Sequence, residues 1–99
     1  MGSRYKTLKN KTKIIMDNYL QFEINENYKN DLKYHAMHVY IDGIFNDLKK
    51  TEVYVLKKHF IDHEAYKYCG YSRANYYKNL KTGMERITRR CKIYTQLIK

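Results

Sequence analysis

The chain has 99 residues, enough for one compact domain with a small core, and its formal net charge is +10. Proline is absent and only four glycines occur, so the composition favours a mostly helical protein. There is no apolar run of about eighteen residues and no signal peptide, so we expect a cytoplasmic protein without a membrane partner. Two cysteines, Cys69 and Cys91, indicate reduced core thiols and not a disulfide framework.

The positive charge is concentrated at the two ends of the chain. Residues 1–16 carry five cations and no acid, residues 17–64 six cations and nine acids, and residues 65–99 nine cations and one acid. Clustered Lys and Arg are the electrostatic signature of a polyanion partner, because each neutralised phosphate releases condensed counterions. A merely solvated basic surface is the plainer alternative.

The first predicted element is a helix over residues 5–22, whose basic start is a candidate mobile arm and whose later turns pack inward. Residues 23–30 are rich in asparagine and lack apolar periodicity, which predicts a loop or linker. We therefore divide the chain into a basic N-terminal helix with its linker, residues 1–30, and a second part, residues 31–99. The two parts are expected to form one compact unit.

Two more helices are predicted, over residues 32–48 and 50–61, with Thr51 as a candidate N-cap of the second. The break at Asp62 and His63 ends the second helix. The apolar positions expected to face the core are Leu32, Met37, Val39, Ile41, Ile44, Phe45 and Leu48 in the first helix and Val53, Val55, Leu56 and Phe60 in the second.

Residues 63–82 carry the strongest local signal. Gly70 ends a short helical pattern because glycine enters left-handed conformations without steric cost, and the Ser72 hydroxyl can cap the amides of the next helix. Two helices joined by about three residues form a helix-turn-helix. The seam between them is expected to hold Ala65, Cys69, Tyr71 and Tyr76.

After Arg73 an apolar stripe alternates three- and four-residue steps, at Tyr77, Leu80, Met84, Ile87, Cys91, Tyr94 and Ile98. It predicts one long C-terminal recognition helix of roughly 35 to 40 Å, longer than such a domain is wide. The N-terminal helix or a second copy in a homodimer would cover its distal half, and the heptad-like spacing leaves both open. Gly83 in its middle predicts a close helix crossing or a kink.

The second helix of the motif carries residue types that reach base edges and phosphates in a major groove, so we expect double-stranded DNA as the partner. Behind the capping residue Ser72, the candidates for base edges are Arg73, Asn75, Tyr77 and Lys78. The candidates for phosphates are Lys81, Arg86, Arg89, Arg90, Lys9, Lys11 and Lys13.

Glu52, Leu56 and Phe60 form an E-x-x-x-L-x-x-x-F pattern ahead of the turn, and this part of the chain resembles region 4 of sigma-70-type factors. KNKTKIIMDNYLQF (residues 9–22) and a G-Y-S-x-x-x-Y-Y turn more closely resemble the ArpU/LtrC-like regulators of phages and prophages of Gram-positive bacteria. That turn is present as Gly70, Tyr71, Ser72, Tyr76 and Tyr77.

The resemblance implies an all-α domain with a sigma region 4-like helix-turn-helix. It also implies a sequence-specific activator of late phage operons that acts near the nucleoid of the bacterial host and contacts RNA polymerase. Two departures predict an unusual helix crossing. Tyr66 stands where many such units have alanine or glycine, and the connection after Phe60 is short.

Other chemistries have weak support in the sequence. The spacings of His35, His38, His59 and His63 do not match zinc ligands, and the two cysteines form no CxxC pair, so no metal is predicted. No glycine-rich phosphate loop, nucleophile elbow or partnered acid–base pair occurs, so we expect neither an enzyme nor a cofactor. The basic helix has little bulky hydrocarbon at one end, which disfavours insertion into an anionic membrane.

Two other functions stay open. A protein-interaction adaptor for RNA polymerase or a phage packaging component would dock through the acidic block, residues 17–64. A small-terminase-like DNA-binding protein also uses a helix-turn-helix, but it normally adds an oligomerisation region for which this chain is too short. DNA binding in a mobility-shift assay and molecular mass from light scattering separate these possibilities.

Overall fold

A computed structural model describes residues 2–25 and 31–97, and the fold is all-helical, as predicted. The elements in chain order are α1 (Gly2–Ile24), α2 (Leu32–Asp47), α3 (Lys50–Phe60), a 3-10 turn (Tyr66–Tyr68), α4 (Arg73–Arg90) and a second 3-10 turn (Tyr94–Gln96). The predicted basic arm is therefore the first part of a continuous helix. The predicted loop overlaps the last turn of α1 and otherwise falls largely on residues 26–30, outside the described residues.

Helix α4 packs against the three other helices. Its buried side consists of Tyr76, Leu80, Gly83, Met84 and Ile87. The predicted stripe was wrong at its first position, because Tyr77 is 44% exposed whereas Tyr76 is 1% exposed. Helix α1 packs directly along α4 and supplies buried apolar side chains such as Ile15 and Met16. Of the two predicted coverings of α4, the structure shows the N-terminal helix.

Helix α4 is shorter than predicted. It ends at Arg90 after 18 residues, a length of about 27 Å, and Cys91 is its C-cap. The Tyr40 hydroxyl donates to the Arg90 carbonyl at 3.0 Å and accepts the Lys92 N–H at 2.9 Å. This side chain from α2 satisfies backbone groups at the helix end, where the chain turns away. The last stripe position, Ile98, lies outside the described residues.

The predicted apolar stripe of α2 was wrong at two positions. Leu32 is 85% exposed because it begins the helix, next to the N-cap Asp31. Val39 is 55% exposed because it lies two residues from the buried Met37 and Ile41, on the far side of a helix with 3.6 residues per turn. None of the helices in residues 2–25 and 31–97 combines the length and the apolar character that a bilayer crossing requires.

Helix α3 begins one residue earlier than the predicted cap. Its N-cap is Lys49, whose backbone N–H donates to Oε1 of Glu52 at 2.9 Å. The prediction of Thr51 as the cap was therefore wrong. The Thr51 hydroxyl instead donates to Oδ1 of Asn79 at 3.0 Å, which links α3 to α4.

Gly83 marks a close crossing of α3 and α4, one of the two roles predicted for it. A Cβ atom at Gly83 would lie 3.2 Å from the Leu56 side chain and 3.4 Å from Cβ of Glu52. A larger residue at this position would push the two helices apart. Gly43 is different, because a Cβ atom there would have no neighbour within 4 Å.

We expect Gly83→Val to lower the free energy of unfolding by about 1–3 kcal/mol, because the added methyl groups overpack the contact with Leu56. The control is Gly43→Val, which also replaces a mid-helix glycine but meets open space, and it should change stability by less than about 0.5 kcal/mol. Urea denaturation of both variants measures the difference. Equal effects would contradict the close crossing.

Candidate nucleic-acid interface

The segment between α3 and α4 differs from the predicted helix-turn-helix. The helix expected ahead of Gly70 is only the 3-10 turn Tyr66–Tyr68, and Ala65 before it is extended. His63 has a left-handed φ of 55°, which interrupts any helix before Glu64 and leaves few residues ahead of Gly70. The sigma region 4-like form of the motif is not confirmed.

The turn into α4 has the predicted features. Gly70 has a φ of +77°, a conformation that favours glycine. Ser72 is extended, and its Oγ accepts the Asn75 N–H at 3.2 Å, so it is the N-cap of α4. These two residues determine that the helix begins at Arg73, and so which side chains its first turns present.

Tyr76 anchors the connection from beneath α4. Its ring is 1% exposed, and its hydroxyl donates to the Glu64 carbonyl at 3.3 Å and lies 3.2 Å from Nδ1 of His59. Burial raises the pKa of Tyr76 to about 12. Burial also lowers the pKa of His59, and the positive charges of Lys9 and His63 lower it further.

Tyr66, which departs from the small residue of many such motifs, packs across the start of α4. Its ring centroid lies 6.4 Å from that of Tyr76 and 6.2 Å from that of Tyr77. A bulky ring is therefore accommodated at the base of a 3-10 turn. In the predicted seam, Cys69 and Tyr76 are buried and Tyr71 is half-buried, but Ala65 is exposed on its extended backbone, so the prediction was wrong there.

The predicted base-reading side chains lie in the first turns of α4 and are open to solvent. Exposed here are Arg73, Asn75, Tyr77, Lys78 and, one turn later, Lys81. Asn79 fastens this part of the helix, because its Nδ2 donates to the Asn75 carbonyl at 2.8 Å and its Oδ1 accepts the Thr51 hydroxyl. These exposed side chains therefore belong to a helix that is hydrogen-bonded to α3.

The predicted phosphate contacts from α1 separate into two groups. Lys9 and Lys13 line a cavity of ≈ 370 Å³ together with Tyr77, beside the first turns of α4. Lys11 lines a different cavity with Arg89, close to the other end of α4. Of these three lysines, only Lys9 and Lys13 lie next to the exposed side chains in the first turns of α4.

The predicted phosphate contacts on α4 are also divided. Nη1 of Arg86 lies 3.4 Å from Oε1 of Glu52, whose side chain is 1% exposed, so this guanidinium neutralises a buried carboxylate. Arg89 and Arg90 are exposed in the last turn, about 25 Å along the helix axis from Arg73. Sequence periodicity gave no signal for the ion pair, since its partners lie on different helices.

Many acids of the middle block are engaged within the chain, which reduces the acidic surface available to a protein partner. Asp31 caps α2, and the Tyr19 hydroxyl donates to Asp42 at 3.0 Å. The ion pairs on this block are Asp17 with Lys13, Asp62 and Glu64 with Lys58, and Glu52 with Arg86. Oε1 of Glu23 lies 4.0 Å from Nε2 of His38.

Both cysteines, Cys69 and Cys91, are free and buried. Burial raises the pKa of the Cys91 thiol, which keeps it protonated and unreactive. In the part of the chain that the structure describes, no three His, Cys, Asp or Glu side chains are grouped to hold a metal ion.

Comparison with known proteins gives no relative: no family model matches the chain, and no curated protein or solved structure does so either. The function is therefore inferred from the residues themselves.

We expect Arg86→Met to lower the free energy of unfolding by about 1–3 kcal/mol, because it leaves the buried Glu52 carboxylate without its cation. The control is Arg89→Met, at an exposed position on the same helix, which should cost less than about 0.5 kcal/mol. Urea denaturation at pH 7 compares them. If Arg86→Met cost no more than the control, the ion pair would contribute nothing to stability.

We expect Tyr76→Phe to lower the free energy of unfolding by about 1–2 kcal/mol at pH 7, because the Glu64 carbonyl loses its donor. Folded Tyr76 keeps its proton to about pH 12, whereas an unfolded tyrosine loses it near pH 10. Its contribution is therefore complete below pH 10 and is lost as the pH rises towards 12. Urea denaturation between pH 7 and 11 should show a smaller alkaline loss for Tyr76→Phe than for wild type or Tyr5→Phe.

Proposed function

We propose that the protein is a sequence-specific regulator that binds double-stranded DNA and reads the major groove with α4. The observation that carries this proposal is the exposure of cations, an amide and a phenol around the first turns of α4, a helix whose other side is packed on the core. A major groove about 12 Å wide admits an α-helix, and these residue types match base edges and phosphates. The net charge of +10 supports a polyanion partner.

Each exposed side chain has a role that follows from its chemistry. The Asn75 amide suits the paired donor and acceptor of adenine, and the guanidinium of Arg73 suits the two acceptors of guanine. Lys78 and Tyr77 are further candidates for base edges. Lys81, one turn on, contacts a phosphate, which fixes register but carries no sequence information.

The resemblance to ArpU/LtrC-like regulators supports a more specific proposal, namely activation of phage or prophage late genes through contact with RNA polymerase in the host cytoplasm. A homodimer on paired half-sites is compatible with this function. Its seam would lie outside the buried stripe of α4, because α1 covers that stripe within one chain.

A protein-interaction adaptor is the second candidate, and one observation favours it. Leu32, Ala36 and Val39 are all exposed on α2, and steps of three and four residues put them on one side of the helix. An exposed apolar strip of this kind suits a protein partner. The internal pairing of many acids in the same block counts against an acidic docking face.

Selection of duplexes from a random pool at physiological salt tests the proposal directly. We expect enrichment of a defined sequence, and fluorescence anisotropy should show affinity for it that falls steeply as salt increases. Absent or salt-insensitive DNA binding would overturn the proposal and favour the adaptor. Light scattering of the complex gives the number of chains on each duplex.

Single substitutions distinguish side chains that contact base edges from those that contact phosphates. Arg73→Ala and Asn75→Ala should each cost roughly 1–3 kcal/mol at the selected site and little on random duplex. Lys81→Gln should weaken binding to all sequences alike and flatten the salt slope by about one unit. Lys33→Gln, on the exposed surface of α2, is the charge-matched control and should change neither. Unchanged affinity and specificity of Arg73→Ala would show that α4 does not read the groove as assigned.

A further inference from the structure

The cavity between α1 and the start of α4, called here the α1–α4 groove, gathers ionisable side chains from four parts of the fold. Its volume is ≈ 370 Å³. Its charged or titratable side chains include those of Lys9 and Lys13 of α1, His59 of α3, His63 and Glu64 of the connection, and Tyr77 of α4. This groove opens directly beside the exposed face of α4.

The sign of the charge in the groove depends on its two imidazoles. Glu64 is the acid among the lining residues, and Nζ of Lys58 lies 3.6 Å from its carboxylate but also 3.4 Å from that of Asp62. Lys13 shares its charge with Asp17 at 3.0 Å. Lys9 is exposed, and its charge acts on the His59 imidazole across the groove. Protonation of the two imidazoles, beside Lys9 and Lys13, therefore makes the groove positive and attractive to an anion.

His63 has a backbone conformation that residues with side chains rarely adopt. Its φ of 55° is the one positive value at a non-glycine position among the described residues, and side-chain-bearing residues rarely adopt it. Such outliers persist where the surrounding structure demands them, and they are frequent at binding sites. Here the left-handed residue carries an imidazole that lines the groove.

His59 is oriented by a hydrogen-bond chain. The Tyr76 hydroxyl donates to the Glu64 carbonyl, so its oxygen is available to accept an N–H from Nδ1 of His59, 3.2 Å away. That arrangement leaves Nε2 as the nitrogen that takes the second proton. Two further tyrosines of the lining, Tyr66 and Tyr77, present phenol rings to the same space.

We infer that the α1–α4 groove is a proton-linked phosphate site, which holds one phosphate of the DNA backbone most tightly when His59 and His63 are protonated. The inference rests on the proposed function, because the phosphate belongs to the duplex that α4 reads. An anion between Lys9 and the imidazoles replaces repulsion by attraction, so binding favours their protonation. By linkage, protonation favours binding to the same extent.

DNA affinity measured against pH is the first test. At constant ionic strength, we expect wild-type affinity for the selected duplex to rise about two- to sixfold between pH 7.5 and 5.5, as a shift of half to one pKa unit in one histidine implies over this range. His59→Asn and His63→Asn should each reduce this rise, and asparagine tolerates the left-handed backbone at position 63. His35→Asn, on the exposed side of α2, is the matched control and should keep the full rise.

The lysine of the groove gives a test that does not depend on the histidine variants folding. Lys9→Gln should weaken DNA binding at pH 5.5, lower the salt slope by about one unit and reduce the rise with acid. Lys6→Gln removes an exposed cation from the same helix but not from the groove, and it should leave the rise intact. Identical pH profiles for the two lysine variants would overturn the inference.

Imidazole NMR resonances show where the phosphate comes from. Adding duplex should raise the pKa values of His59 and His63 and leave that of His35 unchanged. Inorganic phosphate, replacing chloride at constant ionic strength, is the second arm. A response to inorganic phosphate alone would overturn the assignment to the DNA backbone, and no response in either arm would overturn the site.

Failure of this inference is distinguishable from failure of the proposed function. DNA binding that is sequence-specific, depends on Arg73 and Asn75, and shows the same pH profile in His59→Asn, His63→Asn and wild type would retain the function and reject the groove. Absence of DNA binding rejects both the function and a backbone phosphate in the groove.

Discussion

The close crossing of α3 and α4 at Gly83 determines how α4 is held against the rest of the fold. Because glycine has no side chain, Leu56 approaches the backbone of α4 closely, and the two helices come near enough for polar groups to join them. The Thr51–Asn79 hydrogen bond lies towards the start of α4, and the Glu52–Arg86 ion pair lies beyond the crossing. Both contacts require the interaxial distance that the glycine permits.

Because α4 packs in this way, one side of the helix is buried and other positions are exposed to solvent. One side carries Tyr76, Leu80, Met84 and Ile87 into the core. Helices α3 and α1 take part in covering the helix, and the exposed positions in its first turns carry the cations and the Asn75 amide. Exposed charge is tolerated there because the solvent hydrates it, whereas the buried face would penalise every one of these groups by desolvation. The free face of α4 is thus a consequence of how its apolar face is buried.

Local signals predicted the local features of this protein. Glycine with φ > 0 at Gly70 and the hydroxyl cap at Ser72 depend on a few neighbouring residues, and both are found. Features that depend on distant partners were missed. Tyr76 and Tyr77 are chemically identical, so only packing decides which is buried, and α4 ends at Arg90 where Tyr40 from another helix satisfies its last carbonyl. The apolar residues of the seam did not indicate that the backbone there forms a 3-10 turn and not an α-helix.

Because α4 packs against α1, the division of the chain near residue 30 does not separate two independent cores. Helix α1 contributes Ile15, Met16, Tyr19 and Phe22 to the core, so residues 31–99 alone would expose the apolar surface that these side chains cover. The same helix brings Lys9 to the groove beside the first turns of α4. The basic N-terminal segment is therefore both a part of the core and a source of positive charge. A polyanion bound along α4 would meet the charge of α1 at a position that the core itself holds.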